Sequence, residues 1–313
     1  MNYNTKCLII GSGAAGYTAG IYTARANLQP IIVSGNDIGG QLTTTSDVEN
    51  YPGFEKINGL ELMEKLKNQT IKCGAQMIQD TIVDVDFSKR PFHLKSIKNN
   101  YQADSIIIAT GAQAKWLGLE SEQKYKGFGV SACAVCDGPF FRNKVVAVVG
   151  GGNTAITEAL YLATLTKKVF LIHRSDNFKA EQVLLDKVRE NDKIEVITYT
   201  VVKDILGEED TIGKFVNGIK LENVNNGQES TIKVDGIFIA IGHKPCTNLF
   251  VGKLKLTENQ YIDVNPLTLQ TSIEGIYACG DVKNEQHKQA IIAAGEGCIA
   301  ALEVEKFLSK NKK

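Results

Sequence analysis

Two glycine-rich turns, each standing between an apolar run and a stretch of small residues, constrain this chain more than any other feature. Lys6-Cys-Leu-Ile-Ile10 reads as a buried parallel strand. It enters Gly11-Ser-Gly13-Ala14-Ala-Gly16, then a small-residue helix over Tyr17 to Asn27 and a second apolar run, Ile31 to Val33. The same order returns at Lys144 to Val149, Gly150-Gly-Gly152-Asn153-Thr154-Ala155, a helix through about Thr164, and Val169 to Ile172. Both copies take 22 positions from the first glycine to the end of the following strand, 11 to 33 and 150 to 172. Each also closes on a comparable late strand, Ser105 to Gly111 in one and Gly236 to Gly242 in the other. The fold class that follows is α/β, with two Rossmann-like, three-layer dinucleotide-binding domains.

The glycines serve the same physical ends in both loops. The first permits a tight turn, the second lets backbone approach a pyrophosphate, and the third position, Gly16 or Ala155, lets helix pack closely on strand. A helix N-terminus then faces the phosphates, adding about 0.3 to 1 kcal/mol of dipole attraction besides the hydrogen bonds of its free N–H groups. Where an acid normally holds a ribose hydroxyl, the copies diverge: Ser34-Gly35 follows the first, His173-Arg174 with Lys179 the second. The cations suit a 2′-phosphate, so the second domain is expected to take NADPH; a solvated basic strand end is the competing reading.

Near the C-terminus Gly275-Ile-Tyr-Ala-Cys279-Gly280-Asp281 has a strand running into Gly-Asp, with a small-residue helix from about Gln289 to Phe307. It reads as a returning piece of the first domain. Asp281 either accepts hydrogen bonds from a polyol or caps the following helix. Glu120 to Phe128 and Lys244 to Asn248 read as polar stretches joining the units.

Composition removes several function classes. At 313 residues the chain is about two domains long, and Lys+Arg and Asp+Glu both number 35, leaving no general attraction for nucleic acid or an anionic membrane. The longest apolar runs, Ile106 to Ala109 and Val145 to Val149, fall far short of the roughly 18 residues that span a bilayer. The polar start, Met1 to Lys6, leads directly into a strand, so no signal peptide is expected and a cytoplasmic location is the default.

Seven scattered cysteines include one close pair, Cys133-Ala-Val-Cys136. Closing so short a loop stabilises a fold by only about 2 kcal/mol. A redox role explains the pair better, because neighbouring thiols exchange with an external disulfide and the second displaces the first. Asp137 beside them is a candidate proton carrier. A half zinc site and two core cysteines are the alternatives; no second C-x-x-C or His-x-x-x-His completes a metal site, so none is expected. Cys7, Cys73, Cys246, Cys279 and Cys298 read as packed residues, as do Trp116 and Phe140-Phe141. Two dinucleotide folds with one dithiol suggest a path from nicotinamide through flavin to Cys133/Cys136 and on to a protein disulfide. A nucleotide-binding redox sensor that does not turn over is the rival class.

These residues, with Gly39-Gly-Gln41-Leu-Thr-Thr-Thr45, Glu49-Asn50-Tyr-Pro-Gly53, Ala109-Thr-Gly111 and Gln289-Ala290, resemble the low-molecular-weight, bacterial-type thioredoxin reductases over essentially the whole chain. The resemblance implies a homodimeric flavoenzyme with a discontinuous FAD domain, 1–113 and 246–313, into which an NADPH domain, 114–245, is inserted. It places Gly11, Gly13 and Gly16 at the FAD pyrophosphate, Gln41, Thr45 and Asn50 near the flavin or its ribityl chain, and Ala14 and Gly111 among the cofactor-binding residues. Gly280, Asp281, Gln289 and Ala290 complete that site. Gly150, Gly152, Asn153, Thr154, His173, Arg174 and Lys179 fall to NADPH. Cys136 would lie over the flavin, Cys133 would attack thioredoxin, and Asp137 would be the acid/base. One domain rotates against the other, with hinges near 114–118 and 243–247. The chain departs from the family where His-Arg-Arg and a further Arg are usual: it reads His173-Arg174-Ser175, then Lys179, and Lys288 also stands where Arg is common.

Overall fold

The computed structural model describes residues 1–313 except Ser46, 210–212 and 312–313. The chain divides into two compact units, Met1–Gln113 with Lys244–Lys313, and Ala114–His243. In the first, β1 (Asn2–Ile10), α1 (Ala14–Arg25), β2 (Ile31–Val33), α2 (Gly59–Lys72) and β3 (Gln76–Ile78) give parallel strands in the order β3-β2-β1, with a helix in each connection. The hairpin β4 (Ile82–Asp86) and β5 (Phe92–Ser96) leads into β6 (Asn100–Ile108), which lies parallel to β1 with Leu8 opposite Ile106. Cys7 to Ile10 and Ile106 to Ile108 are all buried, as continuous apolar runs are where a parallel sheet is covered on both faces.

The chain leaves this unit along β7 (Ala112–Ala114). Residues 120–125, expected as part of a joining stretch, instead form a helix, α3 (Glu120–Tyr125). Glu122 explains the difference. It is wholly buried and accepts hydrogen bonds from Leu117 N–H (2.8 Å) and Gly118 N–H (3.0 Å), while Tyr125 enters the core. After β8 (Val130–Ser131) and the single-turn α4 (Ala134–Asp137) comes the second nucleotide-type core. It comprises β9 (Val145–Val149), α5 (Asn153–Leu165), β10 (Lys168–Ile172), α6 (Gln182–Arg189) and β11 (Ile194–Ile197). An antiparallel sheet follows, β12 (Thr200–Glu209), β13 (Lys214–Asn223) and β14 (Glu229–Ile232), before β15 (Gly236–Ile239) returns to give the parallel order β11-β10-β9-β15-β8.

The return strand β16 (His243–Pro245) pairs with β7, so the two connections run side by side. Back in the first unit, β17 (Ile276–Ala278) lies parallel to the end of β6, and α7 (Ala290–Lys310) packs on α1. Small residues set that contact: a Cβ on Gly297 would stand 2.2 Å from the Ala15 carbonyl oxygen. Trp116 is half-buried against the core of the second unit, and Phe141 is buried edge-on to Phe238. Cys7 and Cys279 are buried, but Cys73, Cys246 and Cys298 are only half-buried.

Candidate active site

The two glycine turns are alike at atomic detail. A Cβ on Gly11 would lie 2.3 Å from the Ala109 carbonyl oxygen, and one on Gly150 would lie 2.4 Å from that of Ala240. Each turn therefore presses on the end of its unit's late strand, as only glycine allows. The next glycines face outward. Around Gly13 nothing lies within 4 Å of a Cβ, and at Gly152 the nearest atom is 3.8 Å away. Both are N-caps without a side-chain cap, and neither α1 nor α5 has an acid in its first turn. These open cradles at uncapped helix starts fit the pyrophosphate of a dinucleotide in each unit.

In the first unit several expected site residues come together. Ser12 Oγ ties the turn to its surroundings, donating to Ser34 O (3.1 Å) and accepting from Gly39 N–H (3.2 Å). Gly40 approaches Gly13, and the 3₁₀ turn Gly40–Thr44 presents Gln41 at the surface. Thr45 closes that turn and accepts from Gly59 N–H through its carbonyl (3.1 Å). Asn50 Nδ2 donates to Gln289 Oε1 (3.4 Å), joining positions far apart in the chain at the start of α7, beside Ala290. Gly111 has φ +71 with open space beside it.

Asp281 lies in the 3₁₀ turn Gly280–Val282 and does not cap α7, whose N-cap is Gln289. Burial pushes its carboxyl up to about 6, opposed by Lys288 and reinforced by Glu296. Sequence reasoning missed Glu296, which holds the turn in place. It accepts from Gly280 N–H (2.7 Å) and Asn284 Nδ2 (3.3 Å), and pairs with Lys283 Nζ at 2.6 Å.

In the second unit Lys179 N–H donates to Gly151 O (2.7 Å), and the His173 ring lies where a Gly151 Cβ would stand. That ring rests on Phe178 at 4.7 Å between centroids, with Ser175 Oγ 3.2 Å from Nε2. Asn153 pairs twice with Glu181, accepting from its N–H (2.9 Å) and donating to Oε1 (3.1 Å). Thr154, Arg174 and Lys179 are exposed, and neither cation forms an ion pair among the described residues.

Cys133 and Cys136 are joined as a disulfide around α4. The one-turn helix is tightly organised: Cys133 Sγ accepts from Cys136 N–H (3.2 Å), Cys133 N–H donates to Ser131 Oγ (3.0 Å), and Cys133 O accepts from Asp137 N–H (3.1 Å). Burial lifts the Asp137 carboxyl above the usual aspartate range against a hydrogen bond from Ser131, so it keeps a proton to higher pH. A second acid, not singled out from the sequence, lies close by. Glu158 on α5 accepts from Ala134 N–H through Oε1 (3.4 Å), while its buried Oε2 has no partner. Burial pushes its carboxyl up to about 7. No group of three or more His, Cys, Asp or Glu side chains is placed to hold a metal ion among the described residues, nor is any of their helices long and apolar enough to cross a membrane.

Two nucleotide-type units, one carrying a disulfide between neighbouring cysteines with acids beside it, define a class of nucleotide-dependent disulfide oxidoreductases. Residues 5–297 match the family described as pyridine nucleotide-disulphide oxidoreductase, and the chain belongs to that family. It is 52% identical to the thioredoxin reductase of Rickettsia conorii over 99% of this chain and 100% of that one. Against the thioredoxin reductase of Vibrio cholerae identity is 47%, over 99% and 98% of the two chains. The solved thioredoxin reductase from Giardia duodenalis superposes with a TM-score of 0.93 at 38% identity, covering 98% of this chain and 99% of that one.

Proposed function

We propose that this chain is a thioredoxin-disulfide reductase that uses FAD and NADPH. The observation that carries the reading is the Cys133–Cys136 disulfide, held in a single helical turn beside two acids of raised pKa and within a nucleotide-type unit. Likeness along the whole chain to relatives named thioredoxin reductase, in sequence and in one solved fold, supports it. FAD is assigned to 1–113 with 246–313, and NADPH to 114–245. When bound, these groups supply a hydride and its relay as an electron pair to the disulfide.

The chain's own residues do the rest. Gly11, Gly13, Ala14 and Gly16 receive the FAD pyrophosphate; Gln41, Thr45, Asn50, Gly111, Gly280, Asp281, Gln289 and Ala290 surround the remainder. Gly150, Gly152, Asn153 and Thr154 receive the NADPH pyrophosphate, and His173, Arg174 and Lys179 its 2′-phosphate. Two electrons open the S–S bond. Cys133, as thiolate, then attacks the thioredoxin disulfide and expels one thioredoxin sulfur, which takes a proton. Cys136 displaces the second sulfur from the mixed disulfide, restoring Cys133–Cys136 and leaving thioredoxin with two thiols. Asp137 supplies a proton to a departing thiolate. Because the sulfur pair must serve two different reactants, the units turn about the paired connections near 114–118 and 243–247.

The reading extends to a homodimer in the cytoplasm, where a reducing environment suits a cycling disulfide. Ile291, Ile299 and Leu302 are exposed along one face of α7, with Gly295 and half-buried Cys298 between them, an apolar stripe suited to a second copy. The direct test is the purified chain: it should be yellow, bleach with NADPH and reduce oxidised thioredoxin, and Cys136→Ser should bleach without reducing thioredoxin. A colourless chain, or a variant as active as the parent, overturns the proposal.

A further inference from the structure

Glu158 has a place in the chemistry that the sulfur pair and Asp137 do not fill. It occupies the second turn of α5, behind the glycine loop, and reaches across to the first N–H of the dithiol turn. A carboxylate used only to anchor a backbone N–H would leave its second oxygen in water or on another donor. Here that oxygen is buried without a partner, a costly arrangement for an ionised group and a mild one for a protonated group.

We propose that Glu158 is a positioning residue for the dithiol: through Ala134 it fixes the start of the turn, and the charge on its buried carboxyl sets how much thiolate the reduced pair carries. The inference rests on the reductase reading only in taking the pair to be reduced and reoxidised. Adding two electrons and two protons to Cys133–Cys136 gives two thiols; with one proton, one sulfur remains a thiolate. A protonated Glu158 leaves that sulfur's charge unopposed, whereas an ionised Glu158 sets a second negative charge nearby and disfavours it.

The surroundings leave few other groups to produce the effect. Burial is the main influence on Glu158, and the bond from Ala134 is the other. Among elements packed against α5, α4 contributes Asp137, while Gly138–Phe141 and β9 carry no ionisable side chain. Lys168 on β10 is paired with Glu195 on β11, and Asp186 with Arg189 on α6. Lys187 on α6 is exposed.

The test follows alkylation of the reduced pair by iodoacetamide after treatment with tris(2-carboxyethyl)phosphine, read by mass spectrometry of the peptide holding both cysteines. In the parent, the rate should rise with pH in a curve broken near neutrality, where Glu158 ionises; a single thiol titration overturns the proposal. Glu158→Gln keeps the shape and the acceptor for Ala134 N–H. It should match the parent below about pH 6 and alkylate about 3- to 10-fold faster at pH 8.5, the size a nearby like charge produces. A constant ratio at every pH, as a purely structural role would give, or no difference, overturns it. Neither thioredoxin nor NADPH enters this assay, so its failure is separable from failure of the parent to reduce thioredoxin with NADPH.

Discussion

Arg174 stands exposed after β10 with no ion pair among the described residues, so its planar fork is available to a 2′-phosphate. Arg174→Ala should therefore lower the ratio of kcat/KM for NADPH over NADH by about tenfold or more, since a charged hydrogen bond contributes about 1.5 to 3 kcal/mol. An unchanged ratio would place the discrimination elsewhere. Glu158 gives a prediction of a different kind. Its folded carboxyl titrates near 7 against an ordinary 4.5, so between those values the folded chain binds more protons than the unfolded one, and stability falls as pH rises through that window. Glu158→Gln removes the penalty. Its unfolding free energy from urea titration should exceed the parent's at pH 8 by roughly 1 to 3 kcal/mol, and the gain should vanish near pH 4.5. An equal gain at both pH values would contradict this origin. Glu158 and Glu296 were hidden in the sequence because, on a helix, a charged residue reads as solvent-facing until its neighbours are known; Glu122 was hidden in a stretch that reads as a connection.

At the scale of elements, the glycines separate structural from binding roles. Gly297→Ala would place a methyl 2.2 Å from the Ala15 carbonyl oxygen, forcing α1 and α7 apart; a loss of about 1 to 3 kcal/mol in urea unfolding is expected. Gly13→Ala meets open space at φ −75, so stability should hold while the flavin retained per chain falls on purification. If both variants lose stability alike, the open cradle is not a ligand site. The βαβ repeats were legible because strand, tight turn and close-packed helix impose glycines at fixed intervals; the observed elements begin or end a few residues from expectation, as at α1, which starts at Ala14. The antiparallel β12–β14 sheet carried no such signature, and α3 was mistaken for a joining stretch because its polar sequence conceals two inward residues.

At the scale of the whole molecule, the α7 stripe is the feature with an assembly consequence. If the proposed homodimer forms through this face, changing Ile299 and Leu302 together to Lys should leave a monomer in sedimentation velocity; a dimer that persists would remove this face from the interface. A different consequence belongs to chain order. The edge of β6 is completed by β17, which the ribosome delivers only after all of Ala114–His243. At typical synthesis rates the interval is on the order of ten seconds. Throughout it Ile106 to Ile108 present an unpaired apolar edge, so the nascent chain should be most prone to self-association while its middle third is emerging, and most in need of a chaperone then.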